Sequence, residues 1–159
     1  MTQIWIVRHG EAAASWEKDP DPGLSQLGQS QAEETANALM DIVPMGAQLI
    51  SSPLRRAQET AAAFANKRGD SVRVDSRFSE VRSPVPLSGR KAWLQEFMRQ
   101  DWSEQSDDLW EWRRDILSGL KEATGPTVVF CHFLVINAVI AEIENCLLYT
   151  SDAADDDHC

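Results

Sequence analysis

Cysteine is scarce in this sequence, which contains three, and no two of them form a Cys-x-x-Cys pair. The chain therefore has neither the spacing of a structural zinc site nor an evident disulfide framework. It also lacks an apolar run long enough to cross a membrane and a cationic-then-apolar opening segment, so we expect a cytoplasmic protein. Basic residues number 15 against 25 acidic ones, and the net charge of -10 argues against a nucleic-acid partner.

Several motifs of known catalytic sites are missing as well. The chain has no Gly-x-x-x-x-Gly-Lys-Ser/Thr phosphate loop and no Gly-x-Ser-x-Gly serine elbow. His9 and Glu11 fit the first half of a zinc deaminase signature, but its Pro-Cys-x-x-Cys half is absent. Cys131 is not followed six positions later by the arginine of a cysteine phosphatase, because that position is Asn137. These absences direct attention to histidine, arginine and carboxylate chemistry.

The remaining composition is that of one globular domain, with 43% hydrophobic and 25% charged residues. Apolar strand patterns occur over residues 3–7, 47–51, 72–74 and 127–131. Helical patterns occur between and after them, over residues 26–42, 53–67, 89–100, 105–123 and 133–144. This alternation predicts an α/β fold, a three-layer α/β/α sandwich with a mainly parallel central sheet. Ser25 is the predicted N-cap of the first helix, and Pro53 is placed in the first turn of the second.

Polar groups follow each of the four predicted strands. Arg-His-Gly-Glu at residues 8–11 follows the first strand, and residues 51–60 follow the second. Residues 77–80 follow the third strand, and His132 closes the fourth. Because ligands bind at the carboxyl ends of strands in open α/β sheets, we expect these groups to converge at one edge. An imidazole beside arginines suits attack on phosphorus while neighbours hold the phosphate oxygens.

Three ordered motifs resemble the histidine phosphatase superfamily, also called phosphoglycerate mutase-like. They are Arg8-His9-Gly10-Glu11, then Ser52-Pro53-x-x-Arg56-Ala57-x-x-Thr60, and then a strand-final His132. The resemblance covers residues 3–140, and Leu24 to Ala32 is similar to the family's Leu-Thr-x-x-Gly-x-x-Gln-Ala segment. Within the family the short chain is most similar to the small bacterial phosphohistidine phosphatases. One departure is Phe133, which stands where family members often have glycine.

The resemblance implies a role for each matching residue. His9 would be the nucleophile and form a covalent phosphohistidine, with Arg8 and Arg56 keeping its imidazole neutral. Both arginines and His132 would bind the phosphoryl oxygens, and His132 would stabilise the transferring group. Glu80 would be the catalytic acid, with Arg82 lowering its pKa. No metal and no cofactor are needed, because these side chains neutralise the phosphate.

The expected function is a metal-independent phosphatase acting on a phosphomonoester or a phosphohistidine. Its partner would be a small phosphorylated metabolite or a phosphohistidine protein; the sequence does not indicate an oligomeric state. Two alternatives stay open: a catalytically weak or inactive phosphate-binding module, and a phosphoglycerate mutase-type phosphotransferase, for which residues 81–123 are short. At the residue level, His9 could instead be a structural cap, Glu80 a surface charge, and Arg55 and Arg56 could exchange roles.

The C-terminal segment, residues 146–159, differs from the rest of the chain. It lacks apolar periodicity and contains four aspartates with no lysine or arginine. We hypothesise that residues 1–145 form the histidine phosphatase-like domain and that this tail is not native to the fold. Family members usually continue with further strands, so we expect a sheet that lacks C-terminal strands and has an exposed edge. Finding the tail encoded at the source locus would contradict the hypothesis.

Overall fold

A parallel sheet lies at the centre of the computed structural model, which describes residues 2–15 and 18–144. Its strands within these residues are β1 (Ile4–Arg8), β2 (Gln48–Ser51), β3 (Arg73–Val74) and β4 (Thr127–Cys131). They lie in the order β1-β4-β2-β3, and every neighbouring pair is parallel. In register, Ile6 of β1 and Ile50 of β2 both pair with Val129 of β4. The predicted parallel α/β fold is therefore confirmed.

Helices cover both faces of the sheet. In the described residues they are α1 (Gln26–Ile42), α2 (Arg55–Arg68), α3 (Arg90–Phe97), α4 (Asp107–Lys121) and α5 (Phe133–Ile143). Alternate residues of β4 enter two separate cores, as the period of a strand requires. Val128 and Phe130 pack with α1 and α2, whereas Val129 and Cys131 pack with α3, α4 and α5. This arrangement is the three-layer sandwich expected from the sequence.

The helix starts show which local predictions were right. Ser25 caps α1, because its side chain accepts a hydrogen bond of 3.0 Å from the Gly28 N–H. The placement of Pro53 in the first turn of α2 is wrong, because Leu54 is extended and the helix begins at Arg55. The carboxylate of Asp21, from a distant loop, accepts the Arg55 N–H at 2.8 Å and so supplies the cap that Leu54 lacks.

β1 pairs only with β4 among the described residues, so its other edge has no strand partner there. Residues 4–7 of this strand are half-buried, in contrast with β4, which is buried along its whole length. The proposed non-native tail, residues 146–159, lies outside the described residues and stays a prediction. No helix in the described part of the chain is long and apolar enough to cross a membrane.

Candidate active site

The candidate nucleophile lies at the carboxyl end of β1, at the edge where β4 also ends. The backbone N–H of His9 donates to the carbonyl of Cys131 at 3.0 Å, which extends the pairing of the two strands by one residue. His132 follows Cys131 directly, so the two histidines are brought side by side. Their ring centroids are 5.1 Å apart, with the rings at 63° to each other.

Two hydrogen bonds fix the protonation state of His9. Its Nδ1 lies 2.6 Å from the carbonyl of Gly10, which can only accept, so Nδ1 carries the proton. Its Nε2 accepts a hydrogen bond of 3.0 Å from Nε of Arg56 and therefore carries the lone pair. The pKa of His9 is lowered to about 4, chiefly by burial, with the charges of Arg56 and Arg8 adding to the shift. Loss of hydration is thus a larger cause of the neutral ring than the two arginines that were expected to produce it.

The loop after β1 is held by two helices. The Gly10 N–H donates to the Thr60 hydroxyl of α2 at 3.1 Å, and the Glu11 N–H donates to Oε1 of Gln31 of α1 at 2.8 Å. A β-carbon at Gly10 would collide with the backbone of Gly28, so α1 and this loop touch backbone to backbone. These contacts fix the carbonyl that orients the His9 ring.

Two arginines of the site come from different elements. Arg56, in the first turn of α2, is only 3% exposed and bonds His9 as described above. The guanidinium of Arg8 lies over the ring of Phe133, 5.2 Å from its centroid. Arg55 points elsewhere: its exposed side chain forms an i,i+4 ion pair with Glu59. Arg56 rather than Arg55 therefore lies against His9, and this placement favours Arg56 as the functional arginine.

His132 is completely buried next to His9. Its Nε2 lies 2.7 Å from the hydroxyl of Ser52, and its Nδ1 has no hydrogen-bond partner within the described residues. Burial lowers its pKa to about 2, with further contributions from Arg56 and His9, so the ring is neutral. The Ser52 hydroxyl also accepts from the Leu54 N–H at 3.3 Å, which leaves its proton available for Nε2 of His132. In that arrangement the proton of His132 is on Nδ1.

Glu80 is buried, with 8% of its surface exposed, and its environment favours the protonated acid. Burial raises its pKa to about 7, against the opposing effects of the Val81 N–H, 3.0 Å from Oε1, and of nearby arginines. Those arginines include Arg56 and Arg90; they do not include Arg82, which was expected to lower this pKa. The alternative of an exposed loop charge at Glu80 is therefore wrong.

A cavity of about 750 Å³ opens at this edge of the sheet. It is lined by four of the five predicted site residues, namely Arg8, His9, Arg56 and Glu80. His132 is not among the lining residues and lies against His9 instead. The cavity thus combines an unprotonated imidazole nitrogen, two guanidinium groups and a carboxyl group with a raised pKa. This set can hold a dianion, attack it and protonate a departing oxygen.

Comparison with known proteins gives the family. The model of the histidine phosphatase superfamily (branch 1) matches residues 4–153. The chain belongs to this superfamily. One relative, glucosyl-3-phosphoglycerate phosphatase of Mycolicibacterium vanbaalenii, is 35% identical over 51% of this chain and 37% of its own length. A probable phosphoglycerate mutase of Enterobacter sp. is 27% identical over 79% of this chain and 54% of its own length. The chain thus spans about half or less of the curated relatives it matches.

Solved structures show the same fold. A mycobacterial glucosyl-3-phosphoglycerate phosphatase in complex with VO3 superposes with a TM-score of 0.67 at 23% identity, over 90% of this chain and 82% of that one. Bacillus stearothermophilus YhfR gives a TM-score of 0.73 at 17% identity, over 91% of this chain and 81% of that one. The histidine phosphatase fold predicted from the sequence is therefore confirmed.

Several residues that support the superfamily site were not assigned by sequence reasoning. Ser52 and Thr60 belong to the second motif, yet their roles as partners of His132 and Gly10 depend on spatial contacts. Gln31 stands in the segment that resembles the family pattern and holds Glu11. Arg90 has no motif signal, because it lies beyond the last matching segment before β4.

The described part of the chain also shows where the thiol and the possible metal-ligating side chains lie. The thiol of Cys131 is fully buried in the core, and burial raises its pKa to about 12, so it is not a nucleophile. No group of three or more His, Cys, Asp or Glu side chains among those residues is placed to hold a metal ion.

Proposed function

We propose that this chain is a metal-independent phosphatase that hydrolyses a phosphomonoester through a covalent phosphohistidine at His9. The observation that carries the proposal is the state of Nε2 of His9, an unprotonated nitrogen at the wall of a cavity that also holds two arginines. Membership of the superfamily, and relatives named as phosphatases, support the same class of activity.

In the first step the lone pair of Nε2 of His9 attacks phosphorus, and the phosphorus–oxygen bond to the leaving group breaks. Glu80, whose pKa is raised to about 7, gives its proton to the departing oxygen. The products are the free alcohol, the Glu80 carboxylate and a phosphoryl group on His9. The Nδ1 proton stays bonded to the Gly10 carbonyl and keeps the ring oriented.

Charge on the phosphoryl group is balanced by the side chains around it. Arg8 and Arg56 supply forked donors, and the hydrogen bond that Arg56 makes to Nε2 in the free protein is replaced by one to a phosphate oxygen. The Nδ1–H of His132 has no hydrogen-bond partner among the described residues, and its ring is buried against His9 rather than lining the cavity. We propose that it donates to a phosphoryl oxygen after a small local shift beside His9 when the substrate binds. Such fixed donors supply most of the catalysis that phosphoryl transfer requires.

In the second step water attacks the phosphohistidine while the Glu80 carboxylate takes its proton. The phosphorus–nitrogen bond breaks, inorganic phosphate leaves, and neutral His9 and protonated Glu80 are restored. The presence of this acid favours an ester over a phosphohistidine protein as the substrate, because an imidazole leaving group needs less help from an acid than an alkoxide does.

Mutase-type transfer is the second candidate, favoured by the match to a probable phosphoglycerate mutase, which covers 79% of this chain. The two functions share the phosphohistidine and differ in the acceptor of the phosphoryl group. A phosphatase delivers it to water, so inorganic phosphate appears as fast as the alcohol. A mutase returns it to an alcohol oxygen, so a phosphorylated isomer accumulates instead.

The proposal is tested by turnover of a generic aryl phosphate in the wild type and in His9→Ala. We expect His9→Ala to lose activity by at least about 10³-fold, because the nucleophile and the covalent route disappear together. Met45→Ala is the matched control, because Met45 is 73% exposed and lies outside the cavity. Undiminished turnover in His9→Ala would overturn the mechanism, and tight phosphate binding without any turnover in the wild type would favour the binding module.

A further inference from the structure

We infer that the cavity accepts a phosphomonoester whose leaving group is uncharged and partly apolar, such as a phenol or a simple alcohol, and that Phe133 selects for it. This inference rests on the phosphatase function proposed above. It depends on the part of the cavity wall that the phosphoryl chemistry does not use.

The balance of charge in the cavity favours an uncharged leaving group. Among the described residues that line it, the cations are Arg8 and Arg56, and both are engaged by the phosphoryl group. Glu11 and Glu80 line the same cavity, and the carboxylate of Glu11 accepts a hydrogen bond of 2.8 Å from the Ser25 hydroxyl. Arg90 acts on Glu80 but does not line the cavity, and its guanidinium donates to the Val81 carbonyl at 3.4 Å. A leaving group with a carboxylate of its own would therefore find no unassigned cation among the described lining residues and would meet the Glu11 carboxylate.

Apolar residues form one part of the cavity wall and favour a partly apolar leaving group. Leu94 of α3 and Phe133 and Leu134 of α5 line the cavity, together with Met98, the residue that follows α3. Leu94 and Leu134 are buried, whereas Phe133 is 39% exposed and presents most of the apolar surface that these three residues offer to a ligand. A concave wall of aliphatic and aromatic groups beside a few convergent polar groups is typical of a pocket for a partly apolar ligand.

Phe133 contacts both the phosphate-binding part and the apolar part of the site. Its ring lies against the guanidinium of Arg8, which is one of the two arginines proposed to bind the phosphoryl oxygens. The ring also forms part of the apolar wall. A leaving group that packs on this ring is therefore placed next to the phosphoryl group. A glycine at this position would leave the wall open and Arg8 without this contact. Phe133 is thus assigned as a residue that determines specificity.

The preference for an uncharged leaving group is tested with phenyl phosphate and 4-carboxyphenyl phosphate, which differ by one carboxylate on the same ring. We expect kcat/KM to be lower by about tenfold or more for the carboxylated ester, because its charge is desolvated without a partner. The chemical reactivity of the two esters is similar, so the difference reports recognition. Equal or faster hydrolysis of 4-carboxyphenyl phosphate, still dependent on His9, would overturn the inference and leave the proposed function intact.

The role of Phe133 is tested by the ratio of kcat/KM for phenyl phosphate to that for ethyl phosphate. Phe133→Ala should lower this ratio about tenfold, because the apolar wall is removed. Phe133→Leu should keep the ratio near that of the wild type, because it keeps an apolar side chain. Met45→Ala is again the control for a distant change of the same kind. An unchanged ratio in Phe133→Ala would contradict the assignment.

A binding measurement separates the two proposals. Phenylphosphonate and 4-carboxyphenylphosphonate cannot be hydrolysed, so their affinities for the wild type, measured by titration calorimetry, do not depend on turnover. We expect the affinity for phenylphosphonate to be at least about tenfold higher than that for 4-carboxyphenylphosphonate. Tighter binding of the carboxylated compound would defeat the inference. Absence of turnover of every ester, with this preference retained, would defeat the phosphatase function alone.

Discussion

Burial shifts the pKa values of His9 and Glu80 in opposite directions, because it disfavours the charged form of each residue. The pKa of His9 is lowered to about 4 and that of Glu80 is raised to about 7. Between these values the imidazole is neutral and the carboxyl group is protonated. Both reactants of the first step are therefore in the required state over the same pH range.

The pH dependence of kcat/KM for an alkyl phosphate follows from these two shifts. We expect activity to fall below about pH 4, where His9 gains a proton and loses its lone pair, and above about pH 7, where Glu80 loses the proton it must donate. Glu80→Gln should reduce kcat/KM for alkyl phosphates by about 10²–10⁴-fold and abolish the decline that Glu80 causes. Steady-state rates over a pH series provide the measurement.

An aryl phosphate with a good leaving group is the control for this experiment, because its departing oxygen needs little protonation. Its hydrolysis by Glu80→Gln should be much less impaired. Ionisation of the substrate phosphate affects wild type and variant alike, so the ratio of their rates isolates the contribution of Glu80. A ratio that does not vary with pH would show that Glu80 is not the acid.

The identities of His9, Arg56 and His132 could be predicted from motifs, because each sits at a fixed place after a strand. Their electrostatics could not, because loss of hydration depends on the packing around each group. The expectation that Arg82 would oppose the shift of Glu80 failed for the same reason: the arginines that act on this carboxyl group are Arg56, Arg90 and Arg8, all distant from it in sequence. Sequence proximity is a poor guide to the charges that surround a buried carboxyl group.

At the scale of secondary-structure elements, the N-terminus of α1 holds the loop after β1 through hydrogen bonds and a close backbone contact. The Ser25 N–H donates to the Glu11 carbonyl at 2.9 Å, and the Ser25 hydroxyl donates to the Glu11 carboxylate at 2.8 Å. Gly28 faces the same loop, and a β-carbon there would collide with the Glu11 backbone. The helix can approach this closely only because residue 28 has no side chain.

Substitution of Gly28 tests whether the close contact between α1 and the loop after β1 matters for catalysis. We expect Gly28→Ala to lower the free energy of unfolding by about 1–3 kcal/mol, because the new methyl group meets backbone that cannot move aside easily. It should also lower kcat, because the displaced loop carries the carbonyl that orients His9. Urea denaturation and steady-state kinetics measure the two effects.

Gly125→Ala is the matched control, because a β-carbon at Gly125 would meet nothing within 4 Å. It should change the free energy of unfolding by no more than about 0.5 kcal/mol and leave kcat unaltered. If Gly28→Ala were as mild as Gly125→Ala in both measurements, the close contact between α1 and the loop would have no functional importance.

The element boundaries show what local patterns can predict. The cap at Ser25 and the apolar strands were predictable, because hydrogen-bonding residues and periodicity are local signals. The start of α2 was predicted too early at Pro53, because its cap is supplied through space by Asp21 rather than by a neighbour in sequence. Similarly, α3 ends at Phe97 rather than at residue 100.

At the scale of the whole molecule, the strand order β1-β4-β2-β3 creates the site. It places His9 and His132 on adjacent strand ends and brings Ser52, after β2, against His132 from the other side. The alternation of strands and helices predicted the layers but not this order, which depends on long-range pairing. It also gave no indication that α3 and α5 supply the apolar wall of the cavity.

The central claim, a phosphoryl group covalently bound to His9, is tested most directly by rapid-quench labelling followed by intact-protein mass spectrometry. The wild type, mixed with an aryl phosphate and quenched in alkali, is predicted to gain one phosphoryl group that is labile in acid and maps to the peptide containing His9. His9→Ala, correctly folded by circular dichroism, is predicted to gain none. Turnover without a labelled intermediate in a quench series faster than kcat, or a label that persists in His9→Ala, would contradict the account.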